Sequence, residues 1–125
     1  MPYKHYRKYK AVKTIVDGEV FDSKREAKRY EALKALVEKG EISNLRRQVP
    51  FVLIPEQRLP DAIGPKGGIK KGALLERECK YIADFVYELP DGGTVVEDCK
   101  GYRTPEYKLK RKLFRHLYGI GIKET

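Results

Sequence analysis

Residues 81–101 read YIADFVYELPDGGTVVEDCKG, from Tyr81 to Gly101. Two runs rich in β-branched and aromatic residues flank Leu89-Pro90-Asp91-Gly92-Gly93, which predicts two strands joined by a tight turn. Side chains alternate along a strand. The first strand, 77–89, is therefore expected to carry Cys79, Tyr81, Ala83, Phe85 and Tyr87 on one face. Glu78, Lys80, Ile82, Asp84, Val86 and Glu88 take the other. The second strand, 94–100, groups Val96, Asp98 and Lys100 on one face and Val95, Glu97 and Cys99 on the opposite one. Asp84 stands opposite Asp98 only if paired residue numbers sum to 182, which leaves a three-residue turn, Pro90-Asp91-Gly92. A two-residue Asp91-Gly92 turn shifts the register by one and turns Asp84 to the far face.

Two carboxylates on neighbouring strands repel one another unless a cation stands between them. Asp84 and Asp98 are hard oxygen donors of the kind Mg²⁺ or Mn²⁺ takes. Lys100 is placed to orient or help deprotonate a water there, or to offset transition-state charge. The same residues also suit ordinary cross-strand pairs on a solvated face, and spacing alone leaves both readings open.

Outward from the hairpin, the chain divides into short punctuated segments. Tyr3, Tyr6 and Tyr9 interleave with basic residues over 1–10, a pattern that serves nucleic acid and also describes a basic tail. Asp17-Gly18 predicts an edge hairpin over 11–21. Ser23 with Glu26 three residues on has capping-box spacing, and Ala27, Tyr30, Leu33, Leu36 and Val37 recur at helical period, so 22–39 is a helix ended by Gly40. Gln48 to Ile54 reads as a strand, with Pro50 placing it at an edge or after a bulge. Residues 55–76 hold prolines, glycines and a lysine-rich tip, Lys66, Lys70 and Lys71, and read as a long, exposed, mobile basic loop. Thr104 and Pro105 open a second helix to Tyr118. Its apolar face is broad (Tyr107, Leu109, Leu113, Phe114, Leu117, Tyr118) and its other side is densely basic. Gly119 closes it before a last strand over 120–123.

The 125 residues fit one domain, 1–125, of α/β class with a mixed central sheet between two helices. Lysine and arginine number 27 against 18 acids, a net charge of +9, and the expected partner is a polyanion, nucleic acid rather than membrane. Cys79 and Cys99 form no metal-ligand spacing with each other or with His5 and His116, so zinc is not expected. With no signal peptide or transmembrane run, the reducing cytoplasm is the expected compartment.

The hairpin resembles the PD-(D/E)xK nuclease superfamily, whose site is an acid on one strand and an acid-x-lysine on the next. The likeness extends to Phe21-Asp22-Ser23 with Glu26-Ala27, to Gln48 entering a strand, to Asp84-Phe85, to Glu97-Asp98-Cys99-Lys100-Gly101, and to Thr104, Tyr107 and Lys110. Over roughly 11–125 this string is similar to a family of small phage-encoded nuclease-like proteins. The resemblance implies a restriction-endonuclease-like αβββαβ core and a Mg²⁺- or Mn²⁺-dependent DNA endonuclease, acting on branched or junction DNA among other options, in a prokaryotic host. It implies Asp84 and Asp98 as metal-binding acids, Lys100 as the motif lysine, Glu26 as a first-helix acid at the metal, and the Cys99 carbonyl as a further ligand. It matches Gln48 and Lys110 to positions that contact DNA or support the site. Lys66, Lys70, Lys71, Lys108 and Arg111 add basic surface for the backbone. Ala83 stands where the eponymous proline would be. Glu26 has a competing role as helix cap, and Glu97 faces away from Asp98. Symmetric double-strand cutting by one site per chain would call for a homodimer. The alternative is a non-catalytic basic nucleic-acid-binding protein on the same fold.

Overall fold

The computed structural model describes residues 13–99 and 102–125, so the 1–10 tail and Lys100 lie outside the described residues. In chain order the elements are β1 (Thr14–Val16), β2 (Glu19–Phe21), α1 (Lys24–Glu38), β3 (Ser43–Ile54), β4 (Gln57–Arg58), β5 (Ala62–Ile63), β6 (Ile69–Lys70), β7 (Leu74–Glu76), β8 (Cys79–Glu88), β9 (Thr94–Asp98), α2 (Pro105–Tyr118) and β10 (Ile122–Glu124). The central sheet is mixed, in the order β10-β9-β8-β3. β8 pairs antiparallel with both neighbours, and β10 lies parallel to β9 after the α2 crossover. Pro50 is tolerated inside β3 because β3 is an edge strand, where a missing N–H breaks no inner ladder. β3 is longer than expected, since the run from Ser43 also pairs with β8.

The two helices bury the two faces of this sheet. α1 packs Ala27 and Leu33 with Phe21, Ile42, Phe85 and Tyr87. α2 packs Tyr107 and Phe114 with Leu53, Tyr81, Ala83, Val86 and Val96. Ser23 caps α1, its Oγ accepting from the Glu26 N–H at 3.1 Å, and Thr104 caps α2 by accepting from the Tyr107 N–H at 3.1 Å. The buried stripe of α2 is narrower than its sequence promised: Leu109 and Leu117 remain 59% and 51% exposed.

The β8–β9 register pairs Phe85 with Glu97, Val86 with Val96 and Glu88 with Thr94, all summing to 182. The turn is the three-residue one: the Leu89 N–H donates to the Gly93 carbonyl at 2.8 Å, and Gly92 takes φ +88°. A side chain at Gly92 would meet no neighbour, so the cost there is conformational. Gly92→Ala is expected to destabilise by about 1–2 kcal/mol in urea unfolding, with no change in the slope against urea.

The strict alternation expected along β8 fails at Asp84. Tyr81 and Ala83 face α2, yet Phe85 and Tyr87 face α1. β3 changes face at the same level, Leu45 packing toward α1 and Val49 and Phe51 toward α2. The β3–β8 register does not slip there, since Arg47 pairs with Phe85 and Val49 with Ala83. Between them Gln48 adopts φ +50°, a conformation that costs a non-glycine residue on the order of 1 kcal/mol or more. The two strands thus turn over together at Gln48 and Asp84.

Two further expectations change. The Asp17-Gly18 hairpin forms its own two-stranded sheet rather than an edge of the main one. The 55–76 segment is a β-ribbon rather than an unstructured loop. β4 pairs with β7 and β5 with β6, prolonging the β3–β8 hairpin beyond the sheet. No helix among the described residues is long and apolar enough to cross a membrane.

Candidate functional site

The turnover at Gln48 and Asp84 has a chemical consequence. In the β8–β9 ladder the hydrogen-bonded pairs alternate, Leu89 with Gly93 being one. Continued regularly, that alternation would send the Cys99 N–H to the Ala83 carbonyl. Instead it donates to Asp84 Oδ2 at 2.8 Å. β8 and β9 therefore part after Phe85 and Glu97, and the Asp84 carboxylate fills the fork. β9 leans instead on β10, where the Thr125 N–H donates to the Asp98 carbonyl at 3.0 Å.

Glu26 arrives at the same place from the first turn of α1. Its backbone serves the Ser23 cap, while its carboxylate turns to the sheet. Gln48 Nε2 donates to Glu26 Oε1 at 3.3 Å and to Asp84 Oδ1 at 3.2 Å. One neutral amide thus draws together two acids from different elements. Arg47 stands behind, 3.7 Å from Glu26 Oε1, with its guanidinium 3.8 Å from the Phe21 ring centre. Burial, then the nearness of Asp84 and Asp22, push the Glu26 carboxyl up to about 7, Arg47 opposing. A raised carboxyl pKa means that folding favours the protonated form. Stability is then fullest below the unfolded value near 4.5 and declines as pH rises toward about 7. In EDTA, Glu26→Gln is accordingly expected to be more stable than the parent at pH 8, on the order of 1–2 kcal/mol, and indistinguishable from it near pH 4. Thermal melts at the two pH values check this.

Asp98 stands on β9, one residue before Cys99. It is 1% exposed, and its Oδ2 accepts from the Tyr81 hydroxyl at 2.5 Å on the α2 side of the sheet. Burial, followed by the bond to Asp98, raises the Tyr81 phenol above its usual range and keeps it the donor. The register needed for Asp84 to meet Asp98 is thus present; Asp84 accepts from Gln48 and from the Cys99 N–H, and Asp98 from Tyr81. Among the described residues, no three His, Cys, Asp or Glu side chains group closely enough to hold a metal ion. The donor chemistry of Glu26 and Asp84 nevertheless fits a hard divalent cation: two carboxylates share one amide, and their repulsion helps lift Glu26.

Other residues singled out in the sequence are scattered. Lys110 pairs with Glu106 at 3.1 Å and, with Lys80, Tyr81 and Tyr107, lines a cleft of about 310 Å³. Arg111 pairs with Glu124 at 3.0 Å, so its charge is engaged within the fold. Lys108 is exposed, as are Lys66, Lys70 and Lys71 on the ribbon. Cys99 packs against the α1-side cluster beside Thr125, and burial pushes its thiol up to about 11.

Sequence reasoning missed Tyr81 as a partner of Asp98 and Arg47 as a cation beside Glu26. It also missed Arg29, whose Nε and Nη2 donate to the two carboxylate oxygens of Glu97 at 2.7 and 2.8 Å. The Tyr87 hydroxyl completes that group by donating to Glu97 Oε2. Burial pushes the Glu97 carboxyl up, but the bonds from Arg29 and Tyr87 outweigh it and leave the group below the usual range. The available signal was Arg29 three residues after Glu26, on the helix side that meets the sheet.

Fold and site together define a mixed α/β domain with two carboxylates gathered at a strand fork under the first helix. A family model described as "Protein of unknown function (DUF1064)" matches residues 6–123, and the chain belongs to that family. No curated protein and no solved structure matches it.

Proposed function

We propose that this protein is a metal-dependent DNA endonuclease with a restriction-endonuclease-like core. The observation that carries the reading is the convergence of Glu26 and Asp84 on Gln48 at the β8–β9 fork, where Asp84 also accepts from the Cys99 N–H. The element order α1, β3, β8, β9, α2, β10 is consistent with the core that the motif resemblance implies. Glu26 and Asp84 would supply carboxylate oxygens to a divalent cation, with the Cys99 carbonyl and, on leaving Tyr81, Asp98 as the β9 contribution. Mg²⁺ or Mn²⁺ bound there would polarise a phosphoryl oxygen and lower the pKa of a bound water. Gln48 orients both acids through its amide, and Arg47 limits their repulsion. Lys100 orients the attacking water or offsets developing charge. The net charge of +9 favours a phosphodiester backbone as substrate.

A second reading, a basic nucleic-acid-binding protein without catalysis, draws on Asp98 being engaged by Tyr81. Incubation with labelled four-way-junction and linear duplex DNA, in Mg²⁺ and in EDTA, separates the two. Cleavage in Mg²⁺ alone supports the enzyme, and greater junction cleavage assigns the substrate. Binding of either DNA without cleavage in Mg²⁺ or Mn²⁺ favours the second reading.

A further inference from the structure

The ribbon from β4 to β7 is a built element that the site does not use. At its neck the Gly72 N–H donates to Asp61 Oδ1 at 2.9 Å, Arg58 Nη1 donates to the Gly72 carbonyl at 3.1 Å, and the Leu59 N–H donates to the Ala73 carbonyl at 2.9 Å. The strands cross so closely that a Cβ on Gly72 would lie 1.8 Å from the Leu59 carbonyl oxygen. At the tip, the Gly67 N–H donates to the Gly64 carbonyl at 3.0 Å, and Gly67 takes φ +81°. Pro65 and Lys66 are thereby presented at the end of the turn.

The chemistry of the outer half is uneven. Between Ala62 and Leu75 the chain carries Lys66, Lys70 and Lys71 and no acid. Ile63 pairs with Ile69 across the ribbon, and the two are 82% and 81% exposed. Single exposed apolar residues are ordinary. A cross-strand isoleucine pair at the end of a fixed arm, flanked by lysines, contributes little to the core and has the form of an apolar wedge with cationic sides. A two-stranded ribbon is narrow enough for a DNA groove, and apolar wedges inserted between base steps unstack them.

We propose that this ribbon is a DNA arm, which seats its lysines on the phosphates of a duplex and presses Ile63 and Ile69 against a base step, distorting it. Charge complementarity selects the occupant: an acid-free basic tip on a chain of net charge +9 fits a polyanion better than a second copy of the same basic chain. The inference shares the nucleic-acid partner with the endonuclease reading but not its chemistry, so it is tested without cleavage.

The test is fluorescence anisotropy of a labelled duplex in EDTA, with Asp84→Asn as the parent chain, across a salt series. A second duplex carries 2-aminopurine to report unstacking. The triple variant Lys66→Ala, Lys70→Ala, Lys71→Ala is expected to weaken binding roughly 10–100-fold at low salt and to flatten the log–log salt slope by about 2–3. Ile63→Ser with Ile69→Ser is expected to keep the slope and abolish the 2-aminopurine rise. Gly72→Val, which opens the neck, is expected to reproduce the binding loss while leaving the melting temperature of the core in place. Unchanged affinity and slope in the lysine variant would overturn the proposal, as would a 2-aminopurine rise that survives the isoleucine changes. Self-association of the parent in sedimentation, lost on changing the isoleucines with DNA binding intact, would assign the arm to a second copy and equally overturn it. Failure of cleavage in Mg²⁺ with arm-dependent binding intact would remove the enzyme and leave the arm.

Discussion

Arg29→Met is expected to lower the unfolding free energy by roughly 2–4 kcal/mol, because removing the partly exposed Arg29 leaves the buried Glu97 carboxylate without its cation. Glu97 is fully buried, and both its oxygens are taken by Arg29, with Tyr87 adding a third bond. Against a total stability of about 5–15 kcal/mol for a domain of this kind, such a loss brings the protein near its folding threshold. The effect has a pH signature. The folded Glu97 carboxyl lies below its ordinary value, so its contribution is present above the unfolded pKa and is lost as pH falls through the folded one. The parent is therefore expected to lose stability on acidification more steeply than a Glu97→Gln, Arg29→Met double variant. Urea unfolding between pH 7 and pH 3 reads both quantities. A single variant Arg29→Met within 1 kcal/mol of the parent would show that the pair is not what holds α1 to β9.

The second large effect concerns activity. Asp84→Asn keeps shape and volume and can still accept from the Cys99 N–H, but removes the charge at the fork. It is expected to lower DNA cleavage in Mg²⁺ by on the order of 10²–10³-fold or more, with duplex affinity in EDTA unchanged or slightly improved. Glu26→Gln is expected to act in the same direction. Gln48→Ala has a different expectation. The two acids lose their shared amide, and cleavage falls while higher Mg²⁺ restores part of it, since Gln48 positions the acids rather than supplying charge. Single-turnover cleavage over a Mg²⁺ series separates these outcomes. Equal cleavage by the parent and Asp84→Asn would remove Asp84 from the chemistry.

Much of the fold was written in local signals. The caps Ser23 and Thr104, the left-handed Gly92 and Gly119, and Pro50 at an edge each follow from backbone sterics and hydrogen bonding, which act within a few residues. The hairpin register was tied to turn length, but the sequence allowed a two- or a three-residue turn, and only the structure selects the latter. What escaped was non-local. The turnover at Asp84 depends on Gln48 in another strand adopting a positive φ, and no alternation rule for a single strand contains that information. The ribbon was obscured for a related reason. Glycines and prolines ordinarily break strands, yet here Gly72 permits the close crossing at the neck, and Pro65 with Gly67 forms the tip. At the site, Asp84 was singled out by the acid and acid-x-lysine hairpin pattern, and Glu26 by its capping-box spacing. Their joining through Gln48, and the capture of Asp98 by Tyr81, are tertiary facts that residue spacing does not encode.

The most direct measurement is nicking of supercoiled plasmid by equal concentrations of purified parent and Asp84→Asn, each in Mg²⁺ and in EDTA. The predicted result is relaxed and linear DNA from the parent in Mg²⁺ alone, with the variant and both EDTA reactions left supercoiled. Nicking that persists in EDTA, nicking by the variant at the parental rate, or no nicking by the parent in either Mg²⁺ or Mn²⁺ would contradict the account.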